Sequence, residues 1–183
     1  RMLPIGTTFS KFRRLVRDLS QDLGKQIEMQ TEGGETELDK TVIERLNDPL
    51  VHLIRNCIDH GIETPAAREA AGKPQSGVVH LKAEHSGASV LITITDDGKG
   101  LNREAILEKA VDKGLVASGS ELSDEEIYQL IFAPGFSTAQ NVTQVSGRGV
   151  GMDVVRKEID ALGGSVSVSS EAGKGTTLTL AIP

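Results

Sequence analysis

Aromatic residues are scarce in this sequence: tryptophan is absent, and one tyrosine and four phenylalanines occur among 183 residues. The formal net charge at pH 7 is -6, so basic residues do not dominate either. Proteins that bind nucleic acids usually carry a basic stripe and often stacking aromatic side chains. The composition therefore argues against a nucleic-acid-binding surface. A small anionic ligand remains compatible with it, because a few lysines and backbone amides suffice for that.

Long apolar runs and paired cysteines are also missing. No stretch approaches the roughly 18 apolar residues of a membrane span, and the first residues show no signal-peptide pattern. We therefore expect a cytoplasmic protein without membrane insertion.

The single cysteine, Cys57, excludes an internal disulfide, and we expect a buried, reduced thiol. The length and the hydrophobic content of 38% predict one domain over 1–183. The abrupt start predicts a fragment of a larger multidomain protein.

The densest group of polar side chains lies in the segment 50–63, LVHLIRNCIDHGIE. At helical spacing one face is apolar and the other carries His52, Arg55, Asn56, Asp59, His60 and Glu63. Asp48 followed by Pro49 indicates the start of this helix, and Gly61 indicates its end. Most polar helix faces are simply solvated and carry Lys and Glu. Histidine, asparagine and aspartate bind metals, phosphates or protons, which favours a functional face here.

Glycine is frequent, with 20 residues, and it is clustered. The tract DDGKG at 96–100 follows a predicted strand, and a carboxylate at that strand end suits the amino group of a flat ring such as adenine. The tract GRGVG at 147–151 precedes a predicted helix, whose free N–H groups suit a polyphosphate. Each tract alone also fits an ordinary turn.

The remaining periodicities predict about five helices and five or six strands. The helices are predicted near 12–23, 39–46, 103–113, 123–131 and 152–162, and the strands near 26–31, 78–84, 89–95, 165–169 and 176–182. Helices and strands do not alternate one for one. We therefore expect an α/β (α+β) two-layer sandwich, with a mixed, mostly antiparallel sheet covered on one face by helices, rather than a doubly wound fold.

Four ordered tracts carry a family resemblance: HLIRNCIDHG, DDGKG, FAPGFSTA with GRGVGMDVV, and GKGTT. They resemble the N, G1, F, G2 and G3 boxes of the Bergerat-fold ATPase superfamily, which includes gyrase, Hsp90, MutL and histidine kinases. Within it the chain is similar to the ATP-binding catalytic domain of the CheA family of chemotaxis histidine kinases. The resemblance implies a protein-histidine kinase that binds ATP and Mg²⁺ and transfers the γ-phosphate to a separate phosphoacceptor domain in two-component signalling. An ATP-hydrolysing clamp and a non-catalytic ATP-sensing module remain alternatives.

The resemblance also implies a role for each matching residue. Asn56 matches an asparagine that holds Mg²⁺, and His60 matches a phosphate-contacting position. His52 stands where gyrase and Hsp90 carry a glutamate, which favours a kinase over a hydrolytic machine; either Mg²⁺ binding or acceptance of the proton of the incoming imidazole stays open for it. These three are the catalytic candidates, and Asn56 and His52 are the metal candidates. The ATP-binding candidates are Asn56, Asp59, His60, Asp96, Gly98, Gly100, Lys109, Lys113, Ser137, Gly147, Arg148, Gly149, Val150, Gly151, Met152 and Thr176.

Among these, Asp96 matches the adenine-reading aspartate, and Lys113 also fits a solvated helix-end lysine. The resemblance implies a lid over ATP at about 116–147, anchored by Phe132 and Phe136. The implied partners are the phosphoacceptor domain of the same kinase and, through domains outside 1–183, the adaptor protein CheW and chemoreceptors. We expect 1–183 to be monomeric and the full-length protein to be a homodimer.

Overall fold

The computed structural model describes residues 1–136 and 151–183. Its strands are β1 (Met2–Pro4), β2 (Ile27–Glu32), β3 (Glu37–Asp39), β4 (Gly77–Ser86), β5 (Ser89–Asp96), β6 (Ser165–Glu171) and β7 (Gly175–Ile182). Its helices are α1 (Gly6–Asp22), α2 (Lys40–Asn56), α3 (Pro65–Ala70), α4 (Arg103–Asp112), α5 (Asp124–Gln129) and α6 (Met152–Ala161). A π-helical turn, Cys57–Gly61, continues α2, and a 3₁₀ turn, Leu130–Phe132, continues α5.

The main sheet has five strands in the order β2-β4-β5-β7-β6. Its only parallel pair in the described residues is β2 with β4, and the other three pairs are antiparallel. Along β4 and β5 alternate residues such as Leu81 and Ile92 are fully buried, while their neighbours are partly exposed. One face of the sheet therefore carries the core, as the period-2 pattern requires. The predicted mixed, mostly antiparallel α+β fold is confirmed.

Helix α2 corrects the sequence-based boundaries. It is one continuous helix of 17 residues, capped by Asp39, whose carboxylate accepts a hydrogen bond from the Thr41 amide at 2.8 Å. Pro49 lies inside it, so the predicted start at Asp48 and the separate helix at 39–46 were wrong. The proline ring is buried beside the fully buried core residues Leu46, Leu50, Leu53 and Ile54. This burial compensates for the hydrogen bond that proline removes.

The start of the chain also differs from expectation. The first helix was predicted near 12–23, whereas α1 begins at Gly6. Ile5 and Phe9 are buried, and the Ile5 amide donates to the Thr36 carbonyl at 2.9 Å, which fixes the helix against the small β1–β3 sheet. Tertiary packing therefore makes the first residues of α1 helical, although their local helix propensity is weak.

Two predicted helix starts in the second half of the chain are confirmed. The Asn102 side chain accepts from the Ala105 amide at 3.0 Å at the start of α4. Ser123 and Glu126 form a reciprocal capping box at the start of α5. Among the helices of residues 1–136 and 151–183, none has the length and apolar character that a membrane span requires.

Candidate functional site

A cavity of about 1220 Å³ opens beside the end of α2, the end of β5, α4 and the start of α6. It is larger than most small-molecule pockets, which span roughly 300–1,000 Å³. Several sequence-predicted candidates line it: His52, Asn56, His60, Asp96, Gly100, Lys109, Gly151, Met152 and Thr176. The fold thus brings together at one cavity residues from the segments 52–60, 96–109 and 151–152 and from position 176.

The α2 face reaches the cavity because the opposite face of this helix is locked in the core. His52 and Asn56 are one turn apart on α2 and both line the wall. The Asn56 side-chain nitrogen donates to the Met152 sulfur at 2.8 Å, which joins the end of α2 to the first residue of α6.

The π-helical turn Cys57–Gly61 alters the angular spacing beyond Asn56. Such single-turn insertions occur frequently at functional sites. The Lys25 ammonium holds this turn, donating to the carbonyls of Ile58 at 2.6 Å and Asp59 at 3.0 Å. His60 lies at the cavity with its Nε2 atom 3.4 Å from the Asp59 carboxylate. The turn therefore presents an exposed histidine beside the buried end of α2.

His52 is arranged to remain neutral. Burial lowers the pKa of its imidazole, and the nearby charge of Arg55 lowers it further, while Asp153 acts in the opposite direction. A neutral imidazole offers a nitrogen lone pair to a proton or to a metal ion.

Asp96 is the most deeply buried carboxylate of the wall, with a relative exposure of 4%. Its Oδ1 atom accepts a hydrogen bond from the Gly98 amide at 2.9 Å, and the Cys57 thiol and the Thr176 amide also donate to the carboxylate. Burial raises the pKa of Asp96, and the charge of Asp97 adds to this, whereas the three donors act against it. The result is a positioned acceptor in a largely water-excluded setting.

Close backbone approach explains the glycines around Asp96. A Cβ atom on Gly98 would lie 2.1 Å from the Gly61 carbonyl oxygen, and one on Gly61 would lie 3.1 Å from Asp96 Oδ2. The Lys99 amide donates to that same Gly61 carbonyl at 3.0 Å. The turn after β5 and the π-helical turn are therefore in direct contact, and Gly98 shapes the site without lining the cavity.

The cationic side of the cavity is formed by α4. The Lys109 ammonium lies 4.6 Å from the centre of the Phe136 ring, a cation–π distance. Burial lowers the pKa of Lys109, and the charge of Lys113 lowers it further. The Lys113 ammonium is itself buried and has no hydrogen-bond partner among the described residues.

Some predicted candidates lie elsewhere. Asp59, Gly98 and Lys113 are not part of the described cavity wall. Five others, Ser137, Gly147, Arg148, Gly149 and Val150, lie outside the described residues, as does the part of the predicted lid from 137 to 147. In the described part of the chain, no three His, Cys, Asp or Glu side chains form a group that could hold a metal ion.

Other wall residues were not predicted from the sequence. They include Cys57, Lys99, Leu101 and Tyr128. Cys57 was assigned to the apolar side of an α-helix, because the helical pattern gave no sign that the following turn would be a π-helix. Leu101 and Tyr128 carry no motif, and their place in the wall depends on how α4 and α5 pack.

Comparisons with known proteins identify the family of the chain. Residues 45–183 match the family described as histidine kinase-, DNA gyrase B-, and HSP90-like ATPase. The whole chain is 54% identical to the chemotaxis protein CheA of Bacillus subtilis and 52% identical to the sensor histidine kinase CheAY of Helicobacter pylori. It spans 28% of the length of the first relative and 23% of the second.

Solved structures share the fold at low sequence identity. The catalytic domain of histidine kinase ThkA superposes with a TM-score of 0.61 at 15% identity, over all of this chain and 94% of that one. The histidine kinase domain of a blue-light activated kinase from Erythrobacter litoralis gives a TM-score of 0.56 at 16% identity, over 99% of this chain and 61% of that one. With its family match over residues 45–183, the chain belongs to the histidine kinase-, DNA gyrase B- and HSP90-like ATPases.

Proposed function

We propose that this domain binds ATP together with Mg²⁺ and presents the γ-phosphate to a histidine on a separate phosphoacceptor domain, in chemotaxis signalling. The observation that carries the proposal is that Asp96 and the His52–Asn56 pair line one cavity. The family match supports ATP as the nucleotide. The relatives named chemotaxis protein CheA and sensor histidine kinase CheAY support the kinase activity and the pathway.

The adenine end is assigned to Asp96. A buried carboxylate whose position is fixed by three donors accepts a hydrogen bond from an exocyclic amino group without having to reorganise. Thr176 lies beside it, and its hydroxyl is 3.2 Å from that of Ser170, which in turn donates to the Gly175 carbonyl at 3.0 Å. Guanine carries a carbonyl at the corresponding ring position, and two acceptors facing each other would repel. The site should therefore prefer adenine.

The metal end is assigned to Asn56 and His52. Mg²⁺ favours one or two protein ligands together with phosphate oxygens and water, and a pair of neutral side chains fits that requirement. When bound with ATP, Mg²⁺ neutralises phosphate charge. Asn56 contributes its amide oxygen, because Mg²⁺ takes oxygen ligands and the amide nitrogen is a donor, here to the Met152 sulfur. His60 and Lys109 contribute polar and positive groups for the phosphates from the same wall.

His52 favours transfer over hydrolysis through the family resemblance. It occupies the position where the hydrolytic members gyrase and Hsp90 carry a glutamate. A histidine kinase needs no activated water, because the incoming imidazole is itself the nucleophile. Catalysis then rests on positioning and charge stabilisation.

The chain spans about a quarter of the length of these relatives, which supports a longer protein with further domains. We assign the phosphoacceptor domain to that longer protein, outside the present chain. We assign the adaptor CheW and chemoreceptors as partners of the other domains. We further assign homodimerisation to those domains and a monomeric state to the present chain.

Phosphotransfer to a purified acceptor domain tests the proposal. The chain is incubated with γ-phosphate-labelled ATP and Mg²⁺, with and without a histidine-phosphoacceptor domain. Acid-labile, base-stable label on the acceptor is the expected result. Phosphate release without acceptor would instead indicate a hydrolytic clamp, and ATP binding with neither reaction would indicate a sensing module.

A further inference from the structure

Arg68 is the most deeply buried charged residue in the described chain, with 1% exposure. It lies on α3, in a segment that contributes nothing to the cavity wall. Its Nε atom donates to the Pro74 carbonyl at 2.6 Å, and one terminal nitrogen donates to the Glu63 carboxylate at 3.0 Å and to the Asp97 carbonyl at 3.1 Å. The other terminal nitrogen reaches the Asp97 carboxylate at 3.1 Å.

Lys73 completes the group. Its ammonium donates to the second oxygen of Glu63 at 2.8 Å, to the Asp97 carbonyl at 3.1 Å and to the Gly98 carbonyl at 2.8 Å. Burial acts to raise the pKa of Glu63, but hydrogen bonds and the charges of Lys73 and Arg68 outweigh burial and lower it. Glu63 is therefore ionised between two cations. We call Glu63, Arg68, Lys73 and Asp97 the α3 cluster.

The α3 cluster connects the two backbone segments that hold Asp96. Glu63 follows the π-helical turn by two residues, and Asp97 and Gly98 directly follow Asp96. Asp97 is fixed from the other side as well, because its Oδ1 atom accepts from the Val78 amide at 2.8 Å. The two carbonyls that Lys73 holds belong to the turn whose Gly98 amide donates to Asp96.

Arg68, Glu63 and Lys73 are buried or largely buried, with side-chain exposures of 1%, 13% and 17%. Burying charged groups is costly in free energy, and a well-packed apolar cluster often stabilises a fold equally well. General stability therefore gives a weak reason for this arrangement. Positioning of the backbone gives a stronger reason, because the side chains of the cluster donate hydrogen bonds to the carbonyls of the turn that follows Asp96.

We propose that Lys73, Arg68 and Glu63 are positioning residues for base recognition: they fix the turn of Asp97 and Gly98 and so aim the Asp96 carboxylate at the adenine amino group. This inference rests on the proposed function. It assigns a role in nucleotide selectivity to side chains that lie outside the cavity wall.

Lys73→Met is the primary test, because Arg68→Met removes a fully buried guanidinium from the largely buried Glu63 carboxylate and threatens the fold. Affinities for ATP, GTP, adenosine and inorganic tripolyphosphate are measured by calorimetry on the wild-type chain and on the variant. We expect ATP and adenosine to bind roughly tenfold more weakly, the ATP-to-GTP preference to fall by a similar factor, and tripolyphosphate binding to stay unchanged.

Lys82→Met is the matched control. Lys82 lies on β4 and also makes two ion pairs, at 3.5 Å to Glu32 and 3.3 Å to Glu84, away from the cavity. It should change none of the four affinities. An equal loss of selectivity in Lys82→Met would overturn the inference, because the effect would then reflect general weakening of the domain.

Circular dichroism establishes that each variant is folded. If Lys73→Met does not fold, Glu63→Gln, which keeps the shape and removes the charge, is judged by the same selectivity ratio. A folded variant that retains the wild-type ATP-to-GTP ratio refutes the positioning role while leaving the proposed function intact. A wild-type chain that binds no ATP refutes the proposed function, and the inference with it.

Discussion

The Cys57 thiol donates a hydrogen bond to the Asp96 carboxylate in the wall of the cavity. One partner comes from the π-helical turn after α2, and the other from the end of β5. Burial raises the pKa of Cys57 well above its usual range, and the negative charge of Asp96 raises it further. The thiol therefore serves as a hydrogen-bond donor and not as a nucleophile.

Slow chemical modification of Cys57 follows from that environment. Only a thiolate reacts readily with a disulfide reagent such as dithionitrobenzoate. We expect the folded chain to react on the order of a hundredfold more slowly at neutral pH than the same chain unfolded in guanidinium. Absorbance of the released thiolate follows both reactions. Comparable rates in the two states would mean that the thiol is accessible and does not donate to Asp96.

Asp96→Asn should weaken ATP binding by about 1–3 kcal/mol, or roughly 5- to 150-fold, because a charge-assisted hydrogen bond to the base is lost. Calorimetric titration of both chains measures the change. Asp22→Asn, at the exposed end of α1, is the control and should bind ATP like the wild type. Unchanged affinity in Asp96→Asn would remove Asp96 from the binding site.

The pH dependence of ATP binding should also report on Asp96. Burial raises the pKa of this carboxyl, so it takes up a proton at a higher pH than an ordinary aspartate. The ionised form is the better acceptor for the amino group, so affinity should decrease as pH falls through this raised pKa. Titrations at a series of pH values measure the profile. The Asp96→Asn variant lacks the carboxyl and should lose that part of the dependence; an identical profile in both chains would assign it to another group.

Asn56→Ala should abolish Mg²⁺-dependent phosphotransfer and leave the fold intact, because it removes the amide oxygen assigned to the metal. Labelled phosphate on an acceptor domain measures transfer, and circular dichroism measures folding. Asn47→Ala is a matched control, since Asn47 lies exposed on the same helix. Near wild-type transfer by Asn56→Ala would show that the metal assignment is wrong.

Local patterns predicted the sheet and most helices well. Alternating residues located β4 and β5 within two residues, and the helix starts predicted near 103 and 123 agree with those of α4 and α5. These signals depend on neighbouring residues alone, so they can be read without knowledge of the fold. Pro49 was wrongly predicted to mark a helix start, because local patterns do not report tertiary burial. Only that burial explains why a proline is stable inside α2.

The candidate site also combines residues that local sequence predicts with residues that only the fold brings in. Asp96 and the polar face of α2 were predicted from motifs, whereas Cys57 lies in the wall because of a π-helical turn that has no sequence signature. The sequence analysis assigned no role to Arg68. Its burial depends on Glu63 and Asp97, which meet it only after the chain has folded.

The pairing of β5 with β7 determines the stage of folding at which the candidate site forms. Asp96 is in register with Thr176 in these central strands, and their neighbours Thr95 and Thr177 are 82 positions apart in the chain. Contacts at such separation form slowly, since a long loop must close before they are made. A partly folded chain consequently lacks the paired strand ends at which we propose that adenine binds. A nucleotide that binds there stabilises only the chain whose sheet is complete, and it opposes every opening that separates these two strands.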